Sequence, residues 1–319
     1  MRIPFRSPNV NRELLLFTLL ILLLTSSCTR NSKQAQANTD RKIGVLLVNH
    51  GSRSATWRQA LLSLEKSTQA NMMKKGIIKG TKTAHMEYTE PSIATQLKAF
   101  DAEGFTDVII VPIFLTVSPH TFDDIPTIIG QKEDPQSMEV LKIEKIERYT
   151  PQARTYLTPN LDFTDILKKN VLRRVKDITK SEMEEGLVLI GYGDETYDKE
   201  WRKLFDVVAS YVKENTGITD HSYGWCGHIV HYSSDSTTSA INRVLRKKKS
   251  AVVVPVLVAH DENFQVKIIG DGIAKVAHAK ENVIYKPDSI LPDANVENWV
   301  IQVANEYADK IVNGALASR

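Results

Sequence analysis

Asp107 to Pro126 reads DVIIVPIFLTVSPHTFDDIP, and the fold is decided there. An almost unbroken apolar run, Val108 to Leu115, opens it, the pattern of a strand buried on both faces. A polar loop, Thr116 to Thr121, follows and carries His120. Asp123 and Asp124 then stand where a helix should begin, the end of the helix dipole that suits carboxylates. In an open α/β sheet such a loop lies at the C-terminal ends of the strands, where ligands bind. His50 follows a second apolar run, Ile43 to Val48. Two imidazoles are therefore expected at one rim of one sheet, as a candidate metal site.

The pattern occurs twice. Gly44 to Gly51 (GVLLVNHG) matches Gly186 to Gly193 (GLVLIGYG), Trp57-Arg58 matches Trp201-Arg202, and Val111 to Leu115 matches Val254 to Val258. The three offsets agree at about 140 residues, which indicates an internal duplication. Apolar runs alternate with amphipathic ones, which argues βαβ units and parallel sheets. Strands are expected near 43–48, 82–88, 107–115 and 139–146, and again near 186–191, 222–230, 250–258 and 282–286. A last helix is expected from about Ala294 to Val312. The fold class is α/β: two similar doubly wound lobes, residues 42–180 and 181–319, facing across a cleft.

Residues 1–28 stand apart. Arg2, Arg6 and Arg12 precede an apolar run from Leu14 to Leu24, too short to span a bilayer and suited to an export signal. Leu24-Thr-Ser-Ser-Cys28 resembles the lipobox of bacterial lipoproteins, whose cysteine is acylated. Thr29 to Arg41 is polar, as a tether should be. The expected location is therefore export, with lipid attachment to a bacterial membrane through Cys28, facing the periplasm or the exterior. The formal charge of +3 includes the signal's arginines, so nothing global argues for nucleic acid. Cys226 is the second of two cysteines, which leaves no cysteine-rich metal site in the mature domain.

Glu87 lies at the expected end of strand two, between the positions of the two histidines. Neighbouring parallel strands lie about 4.8 Å apart, so His50, Glu87 and His120 can converge on one ion. Two imidazoles and a carboxylate suit a borderline divalent ion such as Co²⁺, Ni²⁺, Fe²⁺ or Zn²⁺ and leave positions open for an exchanging ligand. Glu90 either faces substrate or caps the helix after Pro91. His85, His221, His228 and His278 have no shared rim, and the charge run Arg243 to Lys249 reads as a solvated helix end.

Three segments, VNHGSR (48–53), MEYTEPSI (86–93) and VPIFLTVSPHTFDDIP (111–126), resemble the sirohydrochlorin chelatases, the class II cobalto- and ferrochelatases of the cobalamin and sirohaem pathways. The resemblance implies metal binding by His50, Glu87 and His120, with catalysis by the two histidines. It also implies a divalent metal ion as substrate, no organic cofactor, and a tetrapyrrole entering the cleft, with a homo-oligomer as a further possibility. Asn49 stands where the family has glycine, and Thr116-Val-Ser-Pro119 replaces a glycine-containing loop. In the second half Tyr192 takes the place of His50, His231 aligns roughly with Glu87, and His260 or Glu262 lies near the position of His120. The expected function is insertion of Co²⁺ or Fe²⁺ into sirohydrochlorin or a related tetrapyrrole. The alternatives are an exported metal- or haem-binding protein without turnover and, on architecture alone, a periplasmic solute-binding protein.

Overall fold

The first apolar run forms β1, Ile43–Asn49, buried at every residue, in a computed structural model of the protein that describes residues 41–161 and 163–316. The expected signal, Cys28 and the tether up to residue 40 lie outside the described residues. Among those described, no helix is long and apolar enough to cross a membrane.

β1 is followed by α1, Ala55–Met73, whose first turn is capped by Ser54, its hydroxyl accepting from Trp57 N–H. β2 (Ile78–His85), α2 (Ile93–Ala102) and β3 (Asp107–Pro112) complete the front of the first sheet. After β3 the chain passes through a π-helical turn, His120–Asp124, into a short α3, Ile125–Ile128. The four strands are parallel in the order β2-β1-β3-β4.

The fourth strand differs from expectation. Residues 139–146 are not a strand: α4, Pro135–Ile143, occupies most of them, started by Pro135 and by Asp134, whose carboxylate accepts from Ser137 N–H. The spacing of Val140, Leu141 and Ile143 admits a half-buried helix as readily as a strand, and the start signals at 134–135 decide for the helix. The true β4 is Arg154–Leu157, only four residues long. Its register is fixed by side chains at its edge: Tyr156 donates to one Asp107 oxygen at 3.0 Å, and Arg154 pairs with the other at 3.0 Å.

The second half repeats the plan. α5 (Phe163–Ile178) leads into β5 (Glu185–Gly191), α6 (Asp198–Glu214), β6 (His221–Trp225) and α7 (Asp235–Leu245). β7 (Ser250–Val256) runs to a second π-helical segment, Asn263–Ile269. Two short helices, α8 (Gly270–Ala274) and α9 (Ala279–Asn282), precede β8 (Val283–Tyr285), and α10, Ala294–Val312, closes the chain. This sheet is also parallel, in the order β6-β5-β7-β8.

The two halves exchange their last helices. α5 packs against α6 and β7 of the second sheet, and α10 returns to α1 and β3 of the first. One apolar cluster consequently runs through both halves, from Val45 and Val111 by way of Val300 and Val171 to Leu189 and Phe205. Each fully buried side chain of this kind contributes about 1.5–3 kcal/mol. The opposite faces of the sheets have separate cores, built around Phe100 in the first and Ile241 in the second. Arg174 of α5, only 3% exposed, reaches the Pro255 carbonyl at 2.8 Å and pairs with Asp288, fixing the exchanged helix.

Candidate metal centre

The β1–β2 ladder continues past both strands, and this brings two of the expected site residues together. Met86 N–H donates to the Asn49 carbonyl at 2.8 Å and Glu87 N–H to the His50 carbonyl at 2.9 Å. Gly51 must then turn the chain away, at φ +93°, where a Cβ would meet the Glu87 carbonyl oxygen at 2.1 Å. Only glycine allows so close a crossing. On the other side of β1, the loop after β3 carries His120 to the same rim.

His50, Glu87 and His120 each present a ligand atom, and the three atoms lie within 4.8 Å of one another. The imidazole centroids of His50 and His120 are 4.9 Å apart at 76°. His50 Nδ1–H donates to the Gly51 carbonyl at 3.2 Å, so Nε2 keeps its lone pair, 3.9 Å from a Glu87 oxygen. Burial, and then the neighbouring His120, lower the His50 pKa from its usual value, while Glu87 opposes them. The neutral ring that can bind metal is therefore the one populated near neutral pH. His50 and His120 remain 35% and 30% exposed at their side chains, so the centre is open to an incoming ligand.

Asp124, which the sequence offered only as a helix-dipole carboxylate, holds His120 in place. His120 Nδ1–H donates to Asp124 Oδ2 at 2.7 Å, and Ser137 donates to Asp124 Oδ1 at 2.5 Å. Burial works against charge on Asp124, but these two hydrogen bonds outweigh it and hold the carboxyl below its usual range. The i,i+4 spacing of His120 and Asp124 was the available signal. Asp124→Asn should lower Co²⁺ affinity by about tenfold through a disoriented His120. Isothermal titration of the purified variant checks this, with an unchanged melting temperature as control.

Asn49 also has a structural reason. Its Oδ1 accepts from Gly51 N–H at 3.1 Å and from His85 Nδ1 at 2.7 Å, both inside the protein. A buried Asn49–His85 pair thus braces the turn. Glu90 stays outside the three-residue cluster: its carboxylate accepts from Ser92 N–H at 2.6 Å, just ahead of α2. That hydrogen bond is the main cause of its lowered pKa.

The second lobe shows what became of the duplicate. Cys226 N–H donates to the Gly191 carbonyl and Gly227 N–H to the Tyr192 carbonyl, the same ladder extension as at Asn49 and His50. Tyr192 therefore stands for His50, and Gly227, rather than His231, for Glu87. The second π-helical segment begins at Asn263, which stands for His120 in place of His260 or Glu262. Glu262 belongs to the joint between lobes, where it accepts from Ser54 at 2.8 Å and Thr56 at 2.7 Å, and Ser52 donates to Asp261 at 2.6 Å; His260 lies 4.0 Å from Glu262. A Cβ at Gly227 would lie 2.7 Å from the Tyr192 ring, so tyrosine and glycine here go together. Among the described residues the second lobe gathers no cluster of three metal-ligating groups.

The CbiX family model matches residues 44–178. Over 98 residues the chain is 37% identical to the sirohydrochlorin cobaltochelatase of Methanococcoides burtonii, covering 31% of this chain and 70% of that protein. It is 26% identical over 157 residues to the sirohydrochlorin ferrochelatase of Bacillus subtilis, covering 49% of this chain and 53% of that one. In fold it is similar to the sirohydrochlorin chelatase SirB of Bacillus subtilis subspecies spizizenii, solved in complex with cobalt. The TM-score is 0.58 at 20% identity, covering 84% of this chain and 96% of the other. The chain belongs to the CbiX family of class II metallochelatases, the sirohydrochlorin chelatases.

Proposed function

We propose that the protein inserts a divalent ion, Co²⁺ or Fe²⁺, into sirohydrochlorin or a closely related tetrapyrrole. The observation that carries this reading is the three-ligand cluster of His50, Glu87 and His120 on one open rim. Three protein ligands hold a borderline divalent ion yet leave coordination positions for macrocycle nitrogens. Insertion exchanges the ion for two pyrrole N–H protons, which must be accepted close to the metal. A ring nitrogen that has released the metal can take a proton, though it cannot do both at once. His120 suits the first proton, because the resulting imidazolium lies against Asp124, and the second passes to solvent at the open rim. His50, kept neutral by burial, suits the metal. Glu87, beside His50, completes the ligand set.

Incubation of purified protein with sirohydrochlorin and Co²⁺, followed by absorbance, tests the proposal. The expected result is loss of the free-macrocycle spectrum through many equivalents per protein. A shift that stops at one equivalent means a carrier, and the enzyme reading is then wrong.

The proposal includes the address. The apolar run at 14–24 and the Ser26-Ser27-Cys28 motif support export followed by lipid attachment at Cys28. Cys28→Ala should leave the signal unprocessed or send the mature protein to the soluble fraction. Fractionation of cells expressing both forms checks it, and identical membrane partition of mature protein from the two would end this part of the proposal.

A further inference from the structure

We infer that Tyr88 of the first lobe and Tyr232 of the second form an aromatic clamp for the flat, conjugated face of the macrocycle, an inference that rests on the chelatase reading above. The two rings are 51% and 49% exposed, unusual for large side chains of this kind. Both residues also sit in left-handed backbone, Tyr88 at φ 67° and Tyr232 at φ 57°, and His231 precedes the latter at φ 51°. Bulky L-residues rarely adopt this conformation, and it persists where the surroundings impose it, often at ligand-binding sites.

The surroundings are clear on both sides. Tyr88 directly follows Glu87, and its ring lies 5.8 Å from the His50 imidazole. The Arg53 guanidinium covers that ring at 5.2 Å, which puts a cation for ligand carboxylates into the same wall. Tyr232 is backed by Tyr192, with ring centroids 6.5 Å apart and hydroxyls 3.2 Å apart, and by Phe264 at 6.4 Å. Tyr192 and Phe264 are 5.5 Å apart. The segments that carry the two walls meet at the joint between lobes: Ser52, two residues after His50, donates to Asp261 at 2.6 Å, and Ser54 donates at 2.8 Å to Glu262, two residues before Phe264. In the second lobe tyrosine stands at the position of His50, with glycine at that of Glu87 making room for its ring. One lobe holds the ion, and the other offers a π-surface. A planar macrocycle edged with carboxylates matches this pairing of aromatic faces and a cation.

Tyr232 is the position to test, because it lies away from the metal ligands. Tyr232→Asn removes the ring but tolerates the left-handed backbone, and Tyr232→Phe keeps the ring. The measurements are the Kd for metal-free sirohydrochlorin by quenching of macrocycle fluorescence, KM and kcat for Co²⁺ insertion, and Co²⁺ affinity without macrocycle. Tyr232→Asn should raise Kd and KM by about tenfold, the loss expected for one stacked ring, with kcat within about twofold. Its Co²⁺ affinity should match wild type, and Tyr232→Phe should restore macrocycle binding. Unchanged KM in Tyr232→Asn, or a Phe variant as impaired as the Asn variant, overturns the clamp. If wild type neither binds nor metallates sirohydrochlorin, the chelatase reading fails instead. The clamp is then decided with uroporphyrin, another flat polycarboxylate: ring-dependent binding retains it, and no binding or ring-independent binding ends it.

Discussion

His50→Ala and His120→Ala should each weaken Co²⁺ binding by about tenfold or more, and the double variant should not bind Co²⁺ measurably. Each change removes one of three ligand atoms that lie within 4.8 Å of one another. Among the described residues no further imidazole belongs to this cluster. Tyr192→Phe supplies the control: it changes the equivalent position of the second lobe, keeps the ring, and should leave Co²⁺ affinity untouched. The same titrations should show affinity falling as pH drops, because protons and metal compete for one lone pair. The sign follows from His50, whose pKa is lowered by burial and by His120. Its lone pair survives to lower pH than an ordinary imidazole's, so its share of the loss sets in below about pH 6.5. Normal Co²⁺ binding in both histidine variants, with loss in His231→Ala or His260→Ala, would mean that the wrong lobe holds the metal.

Gly51→Ala should be the most damaging single-methyl change at the site. An added Cβ would lie 2.1 Å from the Glu87 carbonyl oxygen, and backbone cannot rotate aside as a side-chain tip can. The φ of +93° adds strain of about 1–3 kcal/mol for a residue with a Cβ. At about 2–4 °C per kcal/mol for a protein near this size, the melting temperature should fall by several degrees. Metal binding should fall with it, since relief of the clash must move Glu87 or His50 out of register. Gly76→Ala makes the comparison fair. Gly76 also has a positive φ, +69°, but nothing lies within 4 Å of its added Cβ. It should show the backbone cost alone and keep full Co²⁺ affinity. Equal Co²⁺ affinities in the two variants would mean that the Gly51 crossing does not position the ligands.

Tyr192 and Gly227 explain why the duplication is visible in sequence while the second site is not recoverable from it. A glycine and a tyrosine read separately as a turn and a surface ring. Packed together, they fill the volume that His50 and Glu87 use in the first lobe. The sequence alignment offered His231 for Glu87 because it compared residue types, whereas the hydrogen-bond ladder compares positions. His231 lies four residues beyond the true equivalent, just after a 3₁₀ turn, His228–Val230, that has no counterpart among the described residues of the first lobe.

The sequence by itself determined the class of fold and the place of the site. Continuous apolar runs such as 43–48 and 108–115, alternating with amphipathic segments, argue strands buried on both faces, and their repetition argues two parallel sheets. The second of these strands ends at Pro112, and the last three apolar residues of its run open the loop. A histidine right after the first strand and another in the loop after the third lie at the C-terminal rim, because the strand direction sets where the chain leaves the sheet. Tertiary structure alone decided the rest. β4 has no apolar run and is aligned by Arg154 and Tyr156 on Asp107, contacts that span about 50 residues and leave no local pattern. The exchange of α5 and α10 between the sheets is equally invisible, since an amphipathic helix specifies the face it buries and not the partner it buries it against. Asn49 reads as a departure from glycine until His85 is found beside it, and Asp124 reads as a carboxylate suited to a helix dipole until His120 turns toward it. In each case a short-range pattern fixed what the residue can do, and a contact distant in sequence or set by a turn's geometry fixed what it does.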